Sequence, residues 1–366
     1  MKKRIFIIND IAAGGGAEIV MRDLINYLWD KYDITLMTLD DDSEGAKKLF
    51  GDKVRYLPSK IKANPYSRND PLYFLTALYN KLRIAAIRKK RFDVAIANKE
   101  GPCMKIVSKM AAKKKIGWVH ADYNLVYWTH FTYKEGEELQ CMKEYDSIVC
   151  VSKAAEDGVR AVIGDPGNLC VRYNPIDFTK ILERSKQGVG VEKDSSKPLF
   201  VAVGRLDPQK NFVTLARVAA RLCREFDFEV WIVGEGSDRD AIEKVLKDEG
   251  CTSLKLLGMQ ENPYKYVAKS DMLISTSLGE SYGLVIQEAL ILGVPVLSTR
   301  CPAIEECLDT RFGLLVDCTE EEIERGMRKI LEDPAVIKEY KRNIEAGYER
   351  DTLWEKRLSD IESLIK

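Results

Sequence analysis

The 366-residue chain is 45% hydrophobic, 9% aromatic and 31% charged, which excludes a disordered or fibrous chain and, at this length, favours two domains over one core. Its 57 Lys and Arg cancel 57 Asp and Glu, so the bulk charge gives no ground for nucleic-acid binding. No apolar run approaches the ~18 residues a membrane-spanning helix needs, and nine Cys without a CxxC pair read as reduced core thiols rather than a zinc site.

The opening MKKRIFIIND has too short an apolar stretch for a signal peptide, so the expectation is a cytoplasmic protein. Short apolar or β-branched runs then follow at 4–9, 34–39, 54–58, 93–98, 115–120, 147–152 and 169–174, with helical periodicity at 17–30, 71–90 and 153–163. The second half repeats the rhythm, with strands at 198–204, 228–234, 253–258, 271–277, 294–299 and 312–317 and helices at 211–225, 238–249 and 283–292. Apolar strands alternating with helices imply α/β domains with doubly wound parallel sheets covered on both faces. The polar, Gly- and Ser-containing stretch 183–198 reads as a linker, with a hinge beginning at Asn174-Pro175 as the alternative, separating an N-terminal domain at 1–180 from a C-terminal one at 198–350. Residues 321–366 read as helical.

Charge divides unevenly between the halves. Residues 1–180 carry 30 Lys or Arg against 23 Asp or Glu, and the excess concentrates between Lys81 and Lys115, where twelve basic residues face only Asp93 and Glu100. A basic face of this kind seeks an anionic partner.

In open α/β sheets, ligands bind beyond the carboxyl ends of the strands. After the first strand comes Gly14-Gly15-Gly16, which lets backbone approach an anion at a helix start, although Ile19 stands where a dinucleotide fingerprint needs a third Gly. A ligand-free strand-to-helix turn explains this loop equally well. The loop GRLDPQKN (204–211) brings Arg205 and Lys210 together, two cations able to neutralise a diphosphate without a metal, or simply two solvated charges. The loop LGESYGLVIQEAL (278–290) places Glu280 before a helix and Glu288 inside it. Carboxylates there can accept hydrogen bonds from paired sugar hydroxyls while the backbone N–H groups of the helix start meet an anion. The plain alternative is a helix-dipole carboxylate and a surface Glu.

GRLDPQKN, VGEGS (233–237), the paired Glu and EALILGVPVLST (288–299), in that order, resemble the C-terminal half of GT-B glycosyltransferases of the retaining family 4; the GGGAE (14–18) and WVH (118–120) segments match its N-terminal half more loosely. The GGGAE opening also resembles bacterial polysaccharide and capsule glycosyltransferases. The resemblance implies two Rossmann-like domains facing across a cleft, with the last helix, 351–366, crossing back to the N-terminal domain. It implies that Arg205 and Lys210 hold the donor diphosphate, Glu288 the ribose hydroxyls and Glu280 the donor sugar. Gly204, Ser281, Tyr282, Gly283 and Leu284 would line the donor site, and Gly14 to Gly16 would approach the sugar. His120 matches the family's cleft histidine; its plain reading is a satisfied strand-end residue. The hinge NPID (174–177) and the Ser281-Tyr282 following Glu280 depart from the commoner family strings without removing a charged group.

These roles imply a nucleotide diphosphate sugar donor, with UDP as the default, retention of configuration, and no cofactor or metal. Asp122 is the nearest carboxylate to His120 in sequence, and Asp40-Asp41-Asp42 reads as a solvated loop rather than a metal site. The basic segment 73–115, with its amphipathic start, reads either as a contact with an anionic membrane surface or as a core-packed helix with a solvated tail. The expected acceptor is a glycan or a lipid-linked glycan. A nucleotide-sugar 2-epimerase of similar architecture and a non-catalytic glycan-binding protein remain the alternatives.

Overall fold

The computed structural model describes residues 2–10, 15–40, 43–61, 71–188, 190, 193–194 and 196–366. It divides into two compact units, one comprising Met1–Ile176 with Glu355–Lys366 and the other Asp177–Trp354.

The first unit is built on seven parallel strands: β1 (Arg4–Asn9), β2 (Asp33–Thr38), β3 (Arg55–Tyr56), β4 (Arg91–Ala97), β5 (Ala111–Val119), β6 (Ser147–Cys150) and β7 (Leu169–Val171). Their order across the sheet is β3-β2-β1-β4-β5-β6-β7. Six helices lie between them: α1 (Gly16–Leu28), α2 (Ser43–Phe50), α3 (Pro71–Arg88), α4 (Pro102–Val107), α5 (Glu137–Lys143) and α6 (Lys153–Ile163). The central strands are apolar along their length because both faces are covered: Ile5, Phe6, Ile7 and Ile8 of β1 are all essentially inaccessible.

The second unit repeats the plan. Helix α7 (Phe178–Ser185) opens it, and its sheet holds β8 (Leu199–Val203), β9 (Glu229–Val233), β10 (Leu254–Leu256), β11 (Met272–Ser275), β12 (Val296–Thr299) and β13 (Gly313–Val316) in the order β10-β9-β8-β11-β12-β13. The helices are α8 (Phe212–Leu222), α9 (Arg239–Asp248), α10 (Tyr264–Lys269), α11 (Leu284–Ile291), α12 (Pro302–Cys307), α13 (Glu320–Glu332) and α14 (Ala335–Gly347). One core lies on each face of this sheet, the first around Phe200, Phe228 and Leu215 and the second around Trp231, Leu273 and Ile304.

The final helix, α15 (Glu355–Ile365), belongs to the first unit. Its buried Glu362 accepts from Tyr27 and Tyr32 Oη at 3.1 Å each and from Lys31 Nζ at 3.3 Å. Its Arg357 donates to the Asn174 carbonyl at 2.8 Å.

The chain passes from one unit to the other at Ile176–Asp177, ahead of the 183–198 stretch and beside the alternative hinge start at Asn174-Pro175. Residues 178–185 are helix, capped by Asp177, whose carboxylate accepts the Lys180 N–H at 3.1 Å. Among the described residues of the 183–198 stretch, only 183–185 are helical, as the last turn of α7.

Both sheets are doubly wound, and each has one place where the chain order reverses: between β1 and β4 in the first, between β8 and β11 in the second. The loops leaving those strand pairs open a crevice at the carboxyl edge, the place where this architecture admits a ligand.

Candidate active site

In the second unit the loops after β8 and β11 are joined side by side. The Gln209 side chain donates to the Gly279 carbonyl at 3.0 Å, the Leu278 N–H donates to the Gln209 carbonyl at 2.8 Å, and Thr276 Oγ1 donates to the Lys210 carbonyl at 2.9 Å. Asn211, in the left-handed region at φ 56°, turns the chain into α8. These bonds fix the backbone under the charged groups.

Lys210 Nζ lies 2.5 Å from Glu280 Oε1, and the same oxygen accepts from Ser277 Oγ at 2.7 Å. The aliphatic stem of Lys210 lies flat on Gly204, where an added Cβ would sit 3.3 Å from three of its carbons. Beneath them Gly234 has φ 153°, and a Cβ there would collide with the Gly204 carbonyl. Glycine is therefore a steric requirement of this crossing.

Arg205 is more open. Its side chain is 74% exposed and pairs with Asp207 Oδ2 at 3.0 Å, while Asp207 Oδ1 accepts the Lys210 N–H at 3.2 Å. Asp207 thus ties the Arg205 guanidinium and the Lys210 backbone into one turn, a role the sequence reading missed.

Gly283, at φ 76°, is the residue before α11, and the first N–H groups of that helix have no partner within it. Tyr282 is buried, and Ser281 and Leu284 are half-buried beside this turn. Glu288 stands apart from the Lys210–Glu280 pair and accepts from Tyr264 Oη at 3.1 Å. Burial pushes its carboxyl up to about 7, with the Tyr264 hydrogen bond and the Arg184 charge acting the other way. The structure therefore joins Lys210 directly to Glu280, links Arg205 to the Lys210 backbone through Asp207, and ties Glu288 of α11 to Tyr264 of α10.

In the first unit the corresponding edge is a buried polar network. Asn98 Nδ2 donates to Asn9 Oδ1 at 3.2 Å, and Asn9 Nδ2 donates to Glu18 Oε1 at 3.1 Å. Gly15 and Gly16 open α1, and a Cβ on Gly15 would meet the Glu18 carboxylate in its present place. Gly14 lies outside the described residues.

His120 follows β5. Its N–H donates to Glu100 Oε2 at 3.0 Å, and Glu100 Oε1 accepts from Trp128 Nε1 at 3.0 Å. Burial holds the imidazole pKa below its ordinary value, against the pull of Glu100 and of a hydrogen bond to the Asn98 backbone. Nε2 is buried without a hydrogen-bond partner. The bond to Asn98 therefore falls to the other ring nitrogen, Nδ1–H, and leaves a neutral ring with a lone pair on Nε2. Asp122 is buried and accepts the Asn124 N–H at 2.9 Å, holding the turn after His120. Glu100 was not singled out from sequence, although its place just past β4, at the reversal of strand order, is a usable signal.

Among the described residues no cluster of three His, Cys, Asp or Glu is placed to hold a metal, and Asp41 and Asp42 lie outside them. All nine cysteines are free thiols. Among the described residues no helix is long and apolar enough to cross a membrane. Helix α3 is not packed into a core along its length: Leu75, Leu78 and Leu82 are 61%, 53% and 63% exposed. Arg83, bonded to the Ser59 and Pro58 carbonyls, and Arg88, bonded to the Lys105 carbonyl, tie its other face to the body.

Two parallel doubly wound sheets with their crevices at the strand-order reversals define the GT-B architecture. The solved structures agree on the fold: the chain superposes on Anabaena HepE in complex with UDP and glucose at TM-score 0.77, 16% identity and 99% of each chain. It superposes on sucrose-phosphate synthase of Thermosynechococcus elongatus at TM-score 0.78, 16% identity, and 100% and 98% of the two chains. The family model for glycosyl transferases group 1 matches residues 183–350, and that for glycosyltransferase family 4 matches 14–180. The chain belongs to these family 4 type GT-B glycosyltransferases and is a transferase. Among curated relatives, it is 27% identical over 89% of its length, and 90% of the relative's, to the N-acetylgalactosamine-N,N'-diacetylbacillosaminyl-diphospho-undecaprenol 4-alpha-N-acetylgalactosaminyltransferase of Campylobacter jejuni. It is 24% identical to the lipopolysaccharide 1,6-galactosyltransferase of Salmonella typhimurium over 54% and 55% of the two chains.

Proposed function

We propose that this glycosyltransferase moves a hexose or N-acetylhexosamine from a UDP-sugar to a hydroxyl of a lipid-linked glycan, with retention of configuration and without a metal, in polysaccharide biosynthesis. The observation that carries the reading is the Lys210–Glu280 pair at the strand-order reversal of the second unit. A cation there balances the diphosphate, and a carboxylate beside it accepts hydroxyls of the sugar being transferred. The UDP held by a structural neighbour supports the choice of nucleotide. The undecaprenol-linked substrate in the name of the Campylobacter relative supports the choice of acceptor.

In this scheme the bond from the sugar anomeric carbon to the diphosphate oxygen breaks while the acceptor oxygen bonds to the same face of that carbon. The acceptor proton passes to the departing diphosphate. Lys210, with Arg205, stabilises the charge that grows on the leaving group, and the N–H groups opening α11 add to it. Glu288 accepts the ribose hydroxyls. His120, neutral and with an Nε2 lone pair, accepts from a sugar hydroxyl; a phosphate oxygen, itself an acceptor, would repel it.

The outward leucines of α3, with Lys81 and Lys89 exposed on the same segment, support peripheral attachment to the anionic inner face of the cell membrane, where a lipid-linked acceptor resides. The test is a transfer assay with a panel of nucleotide sugars and an undecaprenyl-diphosphate-linked glycan, reading the anomeric configuration of the product by NMR, with and without EDTA. An α-linked product from an α-linked UDP-sugar, undiminished by EDTA, is expected. Inversion, loss with EDTA, or interconversion of the donor sugar without acceptor would overturn the scheme.

A further inference from the structure

Parallel strands all begin at the same edge of their sheet, so whatever precedes each strand in sequence is collected there. In the first unit the strand starts are strongly basic: Lys2-Lys3-Arg4 leads into β1, Lys53 and Arg55 into β3, Lys89-Lys90-Arg91 into β4, and Lys113-Lys114-Lys115 lies in the first half of β5. This edge is opposite the crevice that holds Asn98, Glu100 and His120. The six-residue β1 alone separates the two by ~20 Å at about 3.3 Å per residue.

Two open cavities lie along the edge. The larger, about 630 Å³, is lined among others by Lys2, Arg4, Trp29, Asp33, Lys53 and Arg55. The second, about 240 Å³, shares Arg4 and Arg55 with it and continues to Lys90 and Arg91. Together they form one groove across the starts of β3, β2, β1 and β4, ~14 Å at the usual strand spacing.

The groove is charged beyond what its own acids neutralise. Arg55 pairs with Asp33 at 3.2 Å and Lys53 donates to Asn26 at 2.8 Å. Among the described residues Lys2, Lys90 and Arg91 form no ion pair, and the Arg4 guanidinium lies over the Phe92 ring, 5.2 Å from its centroid, within the field of Asp93. Asp93, the nearest further acid, takes the Arg4 backbone N–H at 2.8 Å and Lys113 Nζ at 2.8 Å.

One wall is aromatic. Trp29 is 44% exposed, with Lys53 Nζ 5.5 Å from its ring centroid. A partly exposed indole in a polar groove offers apolar surface, and the C–H face of a pyranose is its natural complement. Asp33 and Asp52 supply acceptors for hydroxyls beside it. Cations spaced by strand intervals, an aromatic plate and flanking carboxylates together match a chain of sugars bearing repeated negative charge. A single phosphate would use one end of the groove, and a flat lipid surface would not reach its concave wall.

We propose that the groove at the strand-start edge of the first unit is a second, non-catalytic binding site for an acidic oligosaccharide. It lets the protein hold a charged glycan chain at a distance from the transfer crevice, and it does not depend on the donor and acceptor read above.

The test is titration of the full chain with a short oligogalacturonate, a neutral malto-oligosaccharide of the same length, inorganic pyrophosphate, and phosphatidylglycerol vesicles, at low and high salt. The expected result is oligogalacturonate binding that weakens with salt, no malto-oligosaccharide binding, and pyrophosphate competing only weakly. Trp29→Ala and Arg91→Ser should each raise Kd about tenfold, with the melting temperature and the transfer rate on a short acceptor unchanged. Lys210→Ala should leave this binding intact. Should Trp29→Ala unfold the chain, Lys90→Glu with Arg91→Ser serves in its place. The proposal is overturned if oligogalacturonate does not bind, if its binding is lost in Lys210→Ala and kept in Trp29→Ala, if pyrophosphate displaces it at equal concentration, or if only vesicles bind through these residues.

Discussion

The two crevices, built on the same sheet plan, solve their electrostatics in opposite ways. The second unit sets full charges against each other in a half-open loop, Lys210 on Glu280 and Arg205 on Asp207. The first buries its polar groups in a chain of amides and carboxylates, Asn98 to Asn9 to Glu18, and leaves one imidazole nitrogen unmatched. A loop of paired ions can open to exchange partners with a charged ligand. A buried network is fixed in place and recognises a ligand by a single missing hydrogen bond.

If that contrast holds, removing a charge from the second unit should cost most. Lys210→Ala should lower kcat/KM by roughly 10²- to 10³-fold, as loss of one preorganised contact to developing charge does, with Lys210→Arg restoring part of it; an unchanged rate in steady-state assays would break the comparison. His120→Ala should come next, at roughly tenfold to a hundredfold. His120→Gln, which keeps an acceptor, should recover more than His120→Phe if a lone pair is what the ring supplies.

Glu288 should give a smaller, pH-dependent effect. Its carboxyl titrates at about 7 in the fold against 4.5 for the free group. Its contribution to stability is therefore complete below the free value and is lost as pH rises through about 7, while its capacity to accept ribose hydroxyls grows over the same interval. Glu288→Gln should raise the melting temperature at pH 8, by roughly 1–3 kcal/mol of stability, and raise the donor KM several-fold there. Both differences should shrink by pH 5.5. His120 runs the other way: because its folded pKa is depressed, the stability it preserves above the free value of 6.5 is lost as pH falls, and calorimetry of His120→Gln between pH 7 and 5 should show a shallower decline. The smallest effect on chemistry should come from Leu75, Leu78 and Leu82 changed together to Ser. Cosedimentation with anionic vesicles should fall, while transfer to a short water-soluble acceptor stays at the parent rate.

The sequence made the strands and the long helices legible because both faces of each sheet are covered, which turns every central strand into an apolar run. It concealed α2, α4, α5, α10 and α12, which span only six to eight residues each, too few turns for a period to register. Strand β5 begins at Ala111 rather than near Lys115 because its pairing with β4 starts at Arg91 opposite Ala111, and lysines at a sheet edge do not look like strand. At the candidate site, Arg205, Lys210 and Glu280 could be singled out because each stands in a loop after a strand, and Glu288 because it follows the same loop into α11. Glu100 and His120 are twenty residues apart and meet only because β4 and β5 are neighbours. Tyr264 and Glu288 are likewise joined by packing of α10 against α11, not by any local string.

The lysine nearest the proposed chemistry has a companion within its own fold. A simple anion arriving from solution would have to take Lys210 from Glu280 and leave that carboxylate stranded. A sugar diphosphate compensates both parties at once, offering phosphate to the ammonium and hydroxyls to the acid. On the proposed function, the pair would act as a lock against phosphate and free nucleotides, and the sugar would be the part of the donor that opens it.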